Sequence, residues 1–191
     1  MKNQVRAFIA VDLSASVRSS VVKLIKSIEP HLDGTKWVST ENLHVTLKFL
    51  GDVPLNELPA LIKAIQKGTE QVDAFDLEFL GCGAFPNLTA PKTIWIGCDQ
   101  GADDLTFLAS RIEDELFTLG YPKESRKFSP HLTIGRVRKS SAASVLSLTE
   151  FFTVQKQKPF GSCGVDEVVI YSSELTRQGP IYDVLATVPL K

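Results

Sequence analysis

Two stretches of the chain share one arrangement, and few folds can use it twice. "NLHVTLKFLG" (residues 42–51) and "SPHLTIGRVR" (residues 129–138) each read apolar residue or proline, His, apolar, Thr, apolar. On a β-strand successive side chains alternate faces. His44, Thr46 and Lys48 are therefore predicted on one face, with Val45, Leu47 and Phe49 on the other as core. His131 and Thr133 likewise oppose Leu132 and Ile134. The chain has three histidines, and two of them carry a threonine two places on inside a strand-like run. Two such halves predict a pseudo-symmetric protein in which each half offers one His-x-Thr row to a shared cleft.

The flanking patterns supply the other elements. "RAFIAVDL" (6–13) reads as a strand, after which Ser14 can cap a helix carrying Val17, Val21, Leu24, Ile25 and Ile28. Leu55, Leu58, Leu61, Ile62 and Ile65 mark a second helix, and Leu105, Leu108, Ile112, Leu116 and Leu119 a third, ended by Gly120 and Pro122. Strands are expected at 75–85, 92–99, 130–139, 166–175 and 180–190, with a weaker helix over Ser144 to Phe152. No low-complexity linker divides the chain, so residues 1–191 are expected to form one domain. The class is α+β, with helices against mainly antiparallel sheet.

Composition narrows the function. A net charge of −1 argues against coating long nucleic acid or membrane through a bulk positive field. There is no apolar run of about eighteen residues, and "FIAVDL" is too short for a signal-peptide core. Cys82, Cys98 and Cys163 are odd in number and show no C-x-x-C spacing, so neither a disulfide framework nor a zinc ribbon is expected. The expectation is a cytoplasmic monomer with no membrane partner.

Two histidines on opposite sides of a phosphate suit in-line displacement. One neutral imidazole takes a proton from the attacking water, and an imidazolium protonates the departing oxygen. Thr46 and Thr133 can donate hydrogen bonds to the non-bridging oxygens as charge builds there. Metal chemistry is the rival, but zinc sites want three or four ligands and two-metal sites want several carboxylates. Neither motif supplies these, so no metal and no cofactor are expected. His31, in "EPHLDG" at a helix end, reads as a surface or capping residue. A G-x-S-x-G elbow and a P-loop are absent from the sequence. Lys123, Arg126, Lys127, Arg136, Arg138 and Lys139 bracket His131 against the single acid Glu124, which reads either as a solvated face or as a local nucleotide patch. In an ideal pleat Arg136 faces away from His131; it reaches a phosphate there only if the strand bulges or ends near Gly135.

With these residues in place, the sequence resembles the 2H phosphoesterase superfamily, and within it the RNA 2′,3′-cyclic phosphodiesterases of the LigT type, also called 2′-5′ RNA ligases. The likeness runs through "RAFIAVDL", "KWVSTENLHVTLKFLGDV", "RKFSPHLTIGRV" and "VVIYSSELTRQGPIYDVL". It implies a bilobal α+β fold with a pseudo-two-fold axis, two mainly antiparallel sheets facing a central cleft, and helices packed outside. It places the HxTx motifs at 44–47 and 131–134. It also implies metal-independent hydrolysis of RNA 2′,3′-cyclic phosphate ends to 2′-phosphomonoesters, with joining of RNA through a 2′-5′ linkage as the reverse direction. By position His44 is the proton donor and His131 the proton acceptor, although chemistry alone leaves the two interchangeable. Thr46, Thr133 and Arg136 hold the phosphate. Phe8 is a candidate for stacking a terminal base, and it also fits the core of the first strand. Two other readings are a sister enzyme acting on 2′-5′ oligoadenylates or small cyclic nucleotide phosphates, and a nucleotide-binding module without catalysis.

Overall fold

The computed structural model describes residues 3–139, 141–177 and 179–191. Its strands are β1 (Gln4–Val11), β2 (Thr35–Trp37), β3 (Val45–Pro54), β4 (Phe75–Phe85), β5 (Thr93–Cys98), β6 (His131–Val137), β7 (Pro159–Val165), β8 (Glu167–Leu175) and β9 (Pro180–Pro189). Its α-helices are α1 (Ala15–Ile28), α2 (Leu58–Thr69), α3 (Ala102–Thr118) and α4 (Ala142–Gln155). The first sheet runs β3-β1-β8-β9 and the second β2-β6-β5-β4-β7, every pairing antiparallel. Apart from β2, which lies between α1 and β3 and joins the second sheet, the path β1-α1-β3-α2 is repeated as β5-α3-β6-α4, the pseudo-two-fold relation expected from the duplicated motif. β3 and β6 approach each other where the sheets meet.

The helices form where the apolar spacing places them. Ser14 Oγ accepts the Val17 N–H at 3.3 Å and so starts α1, which buries Val17, Val21, Leu24 and Ile28. Leu61 and Ile65 anchor α2; Leu105, Leu108, Ile112 and Leu116 anchor α3. α1 packs on β7, α2 on α3 and β9, and α4 on β4, so the helices cover the outer faces of the sheets. Among the described residues no helix is long and apolar enough to cross a membrane. The short strand β2 and the glycine-bearing β7 carry too little alternation to be read from sequence; both are edge strands of the second sheet.

One departure from the ideal pleat reshapes the first motif. In the β1–β3 register Ala10 faces Thr46, Ile9 faces Lys48 and Phe8 faces Phe49, so Leu47 is an extra residue on β3. A β-bulge of this kind reverses the side-chain alternation beyond it. Lys48 therefore leaves the histidine face and enters the interior beside Ile9, where it is 5% exposed. Phe49, expected in the core, turns outward and is 61% exposed. The buried ammonium is matched by Glu113 Oε1 at 2.8 Å and the Pro122 carbonyl at 2.9 Å, both on or just after α3.

Removing that ammonium leaves the part-exposed Glu113 carboxylate with the Glu124 N–H alone and the Pro122 carbonyl short of a donor. Lys48→Ala is expected to lower stability by about 1–3 kcal/mol, read as a lower denaturant midpoint at constant m-value; an unchanged midpoint contradicts this assignment.

Candidate active site

Each catalytic candidate is held by the backbone two residues before it. His44 enters from the short 3-10 turn Thr40–Asn42, and its Nδ1 donates to the Asn42 carbonyl at 2.8 Å. His131 opens β6, and its Nδ1 donates to the Ser129 carbonyl at 2.7 Å. A carbonyl oxygen can only accept, so both neutral rings carry their proton on Nδ1 and present Nε2 as the reactive atom. The turn that delivers His44 is itself tied down. Asn42 Nδ2 donates to the Pro180 carbonyl at 3.0 Å, and Arg18 joins the Thr40 carbonyl, at 2.6 Å, to the Asp12 carboxylate.

Thr46 lies at 3.0 Å from His44 Nε2 through its hydroxyl, donating to that lone pair while the site is open. Thr133 holds the matching place in β6, half-buried and paired with Trp95 of β5. The second motif carries the same bulge as the first: Trp95 faces Thr133, Ile94 faces Gly135 and Thr93 faces Arg136, leaving Ile134 as the extra residue. Arg136 is thereby brought to the histidine side and is exposed. Its charge reaches His44 across the junction of β3 and β6. Gly135 fits because Trp37 of β2 closes over it: a Cβ there would lie 2.8 Å from the indole ring.

Aromatic rings flank both imidazoles. Phe8 lies 4.8 Å from His44 between ring centroids, Tyr182 5.5 Å and Tyr171 6.2 Å. Phe8 is only 3% exposed, so it backs the His44 ring rather than offering a free face, and it stacks on Tyr171 at 5.3 Å. Phe85 meets His131 edge-on at 5.0 Å and contacts Trp95 at 5.2 Å. Tyr171, Tyr182, Phe85 and Trp95 were not singled out by sequence. Their only signal was an aromatic on the cleft-facing alternation of strands that the motifs do not name.

Burial pushes the His44 imidazole down to about 4, against the raising effects of the Asn42 carbonyl and Asp12; Arg18 and Arg136 lower it further. Burial also raises the Cys82 and Cys98 thiols to about 12, so neither is a thiolate nucleophile at neutral pH. Among the described residues no three His, Cys, Asp or Glu side chains gather as metal ligands; the His31 side chain lies outside the described residues. Of the basic run, Lys123 is engaged by Asp114 at 2.5 Å, while Arg126 and Lys127 line a cavity with Lys48 and Glu113 on the α3 side of β3.

His44 in the unliganded protein is expected to stay neutral down to about pH 5, followed by NMR of its ring nitrogens. The unfolded chain takes up that proton near pH 6.5, so this group removes stability as pH falls from there towards 4. A phosphate-ended ligand should raise the midpoint, because an anion favours the charged ring. Titration near 6.5 without ligand contradicts the burial account.

The family model of the 2′-5′ RNA ligase superfamily matches residues 17–177. A relative from Aquifex aeolicus called RNA 2′,3′-cyclic phosphodiesterase is 34% identical, covering 95% of each chain. One of the same name from Archaeoglobus fulgidus is 34% identical over 93% of this chain and 96% of its own. Among solved structures, Escherichia coli LigT in complex with 3′-AMP superposes with a TM-score of 0.77 at 26% identity, covering 98% of this chain and 99% of that one. By sequence and by fold, the chain belongs to the 2′-5′ RNA ligase superfamily.

Proposed function

We propose that this chain opens the 2′,3′-cyclic phosphate of RNA ends to a 2′-phosphomonoester, using His44 and His131 as its acid and base. The observation that carries the reading is the paired delivery of the two rings. Each has Nδ1 anchored on a carbonyl two residues upstream; His44 Nε2 meets the Thr46 hydroxyl, and Thr133 holds the strand-matched place beside His131. The relatives named RNA 2′,3′-cyclic phosphodiesterase support the same substrate class.

In this reading water attacks phosphorus opposite the 3′-oxygen. His131 Nε2 takes the water proton, the P–O3′ bond breaks, and His44 Nε2 gives its proton to the departing 3′-oxygen. The products are a 2′-phosphomonoester and a free 3′-hydroxyl. Thr46 and Thr133 hydrogen-bond the non-bridging oxygens, and the Arg136 guanidinium balances their growing charge. His44 is neutral in the open site, so its proton arrives with the anionic substrate, whose charge offsets the cost of burying an imidazolium. After turnover the two rings have exchanged protonation states, and solvent restores them. No metal takes part. A 5′-hydroxyl in place of the water would join two RNAs through a 2′-5′ linkage by the same geometry.

Incubation with an RNA bearing a 2′,3′-cyclic phosphate should yield the 2′-phosphomonoester, undiminished by EDTA. His44→Ala and His131→Ala are each expected to lower kcat by at least about 10²-fold with the fold retained. Formation of the 3′-phosphomonoester, loss of activity in chelator restored by zinc or manganese, or normal turnover in either variant contradicts the mechanism. Cyclic mononucleotides and 2′-5′ oligoadenylates run in parallel separate the sister activities.

A further inference from the structure

The position five residues beyond the histidine is occupied differently in the two lobes. The shared bulge carries Arg136 of the second lobe, and Phe49 of the first, to the cleft side of their strands. Phe49 is 61% exposed and meets Phe8 at 6.1 Å between ring centroids. The register holds this large apolar ring outward on the face that carries Thr46. We propose that the face of the first sheet leading away from His44 is a track for single-stranded RNA, on which Phe49 stacks the base of the nucleotide preceding the reactive end. The proposal rests on the reading of the site as a cyclic-phosphate opener.

The occupant follows from the chemistry of such an end. A 2′,3′-cyclic phosphate terminates the 3′ side of a strand, so the polymer can leave the site only through its 5′ neighbour. Two register steps separate Thr46 from Phe49, about 7 Å along the strand, which suits the next nucleotide and not the reacting one. Tyr182, half-buried, borders the same face and lies in the fields of both Arg136 and Arg6. Arg6, two residues from Phe8 on β1, and Arg136 on β6 are the cations offered here to the connecting phosphate. The track ends where Arg6 faces Asp52 across the β1–β3 pair. Phe8 itself is too buried to stack a base, which leaves Phe49 as the free aromatic face beside it. A sheet surface with exposed aromatic rings between cations is a general solution for binding single strands with little sequence preference.

The test compares kcat/KM on a trinucleotide ending in a 2′,3′-cyclic phosphate with that on the cyclic mononucleotide. The parent protein should prefer the trinucleotide, and Phe49→Ala should lower that preference about tenfold, with Phe49→Trp retaining it. A parent preference near one, or a preference unchanged in Phe49→Ala, overturns the track. Fluorescence anisotropy with a labelled oligonucleotide ending in a 2′-phosphate reads binding without turnover, and there too Phe49→Ala should bind about tenfold more weakly. If the parent opens neither substrate, the reaction reading fails, and the anisotropy result alone still decides the track. Equal binding by parent and Phe49→Ala then rejects it. Because Phe49 is 61% exposed and meets the interior through the edge of Phe8, both variants should fold with the parent's circular dichroism.

Discussion

The extra residues at Leu47 and Ile134 determine what the cleft contains. Each is buried, Leu47 at 7% and Ile134 at 0% exposure, so the apolar row of the strand continues unbroken into the core while the other face changes register. On the near side of each bulge stand the histidine and threonine; beyond it Lys48 and Gly135 turn inward, and Phe49 and Arg136 turn to the cleft. A bulge costs ladder pairing, and a core packed against the two extra apolar side chains keeps it in place. The two inward positions are filled by different means. Lys48 is neutralised by Glu113, whereas Gly135 makes room for Trp37. The lobes therefore share a backbone device and differ in the side chains it presents: a cation on one side and an aromatic ring on the other.

The second constraint is orientation. An imidazole that can rotate offers either nitrogen, and general acid–base work needs a known one at a known place. Hydrogen bonds from Nδ1 to the Asn42 and Ser129 carbonyls fix both rings through the backbone rather than through a carboxylate. That choice has an electrostatic consequence. A neutral carbonyl stabilises imidazolium less than a carboxylate would, so burial dominates at His44 and favours the uncharged ring. The ring cluster of Phe8, Tyr171 and Tyr182 supplies that dry wall.

Much of this was legible in the residues. The duplicated His-x-Thr rows, the helices at apolar 3.6-residue spacing and the α+β class all follow from periodicity, because burial of one face leaves a regular trace. The Arg136 placement was legible only as a condition, a bulge near Gly135, and the register meets it. Ideal alternation puts Lys48 and Phe49 on the wrong faces for the same physical reason: Leu47 is apolar like its neighbours, and nothing in its identity announces that it is the extra residue. Phe85, Tyr171 and Tyr182, which meet the histidines, and Trp95, which meets Phe85, leave no trace in the sequence because strand pairing, a long-range property, decides which rings come together. β7, with two glycines in seven residues, lacked the alternation that would have marked it.

Catalysis by the two imidazoles requires one phosphoryl group lying between them. A crystal structure with a dinucleotide ending in a 2′-phosphate measures this directly. The account predicts phosphate oxygens within hydrogen-bond reach of Nε2 of both His44 and His131, approached from opposite sides, with the Thr46 hydroxyl turned from the ring to the phosphate. A phosphate seated against one histidine alone, or bound away from the β3–β6 junction, would contradict it.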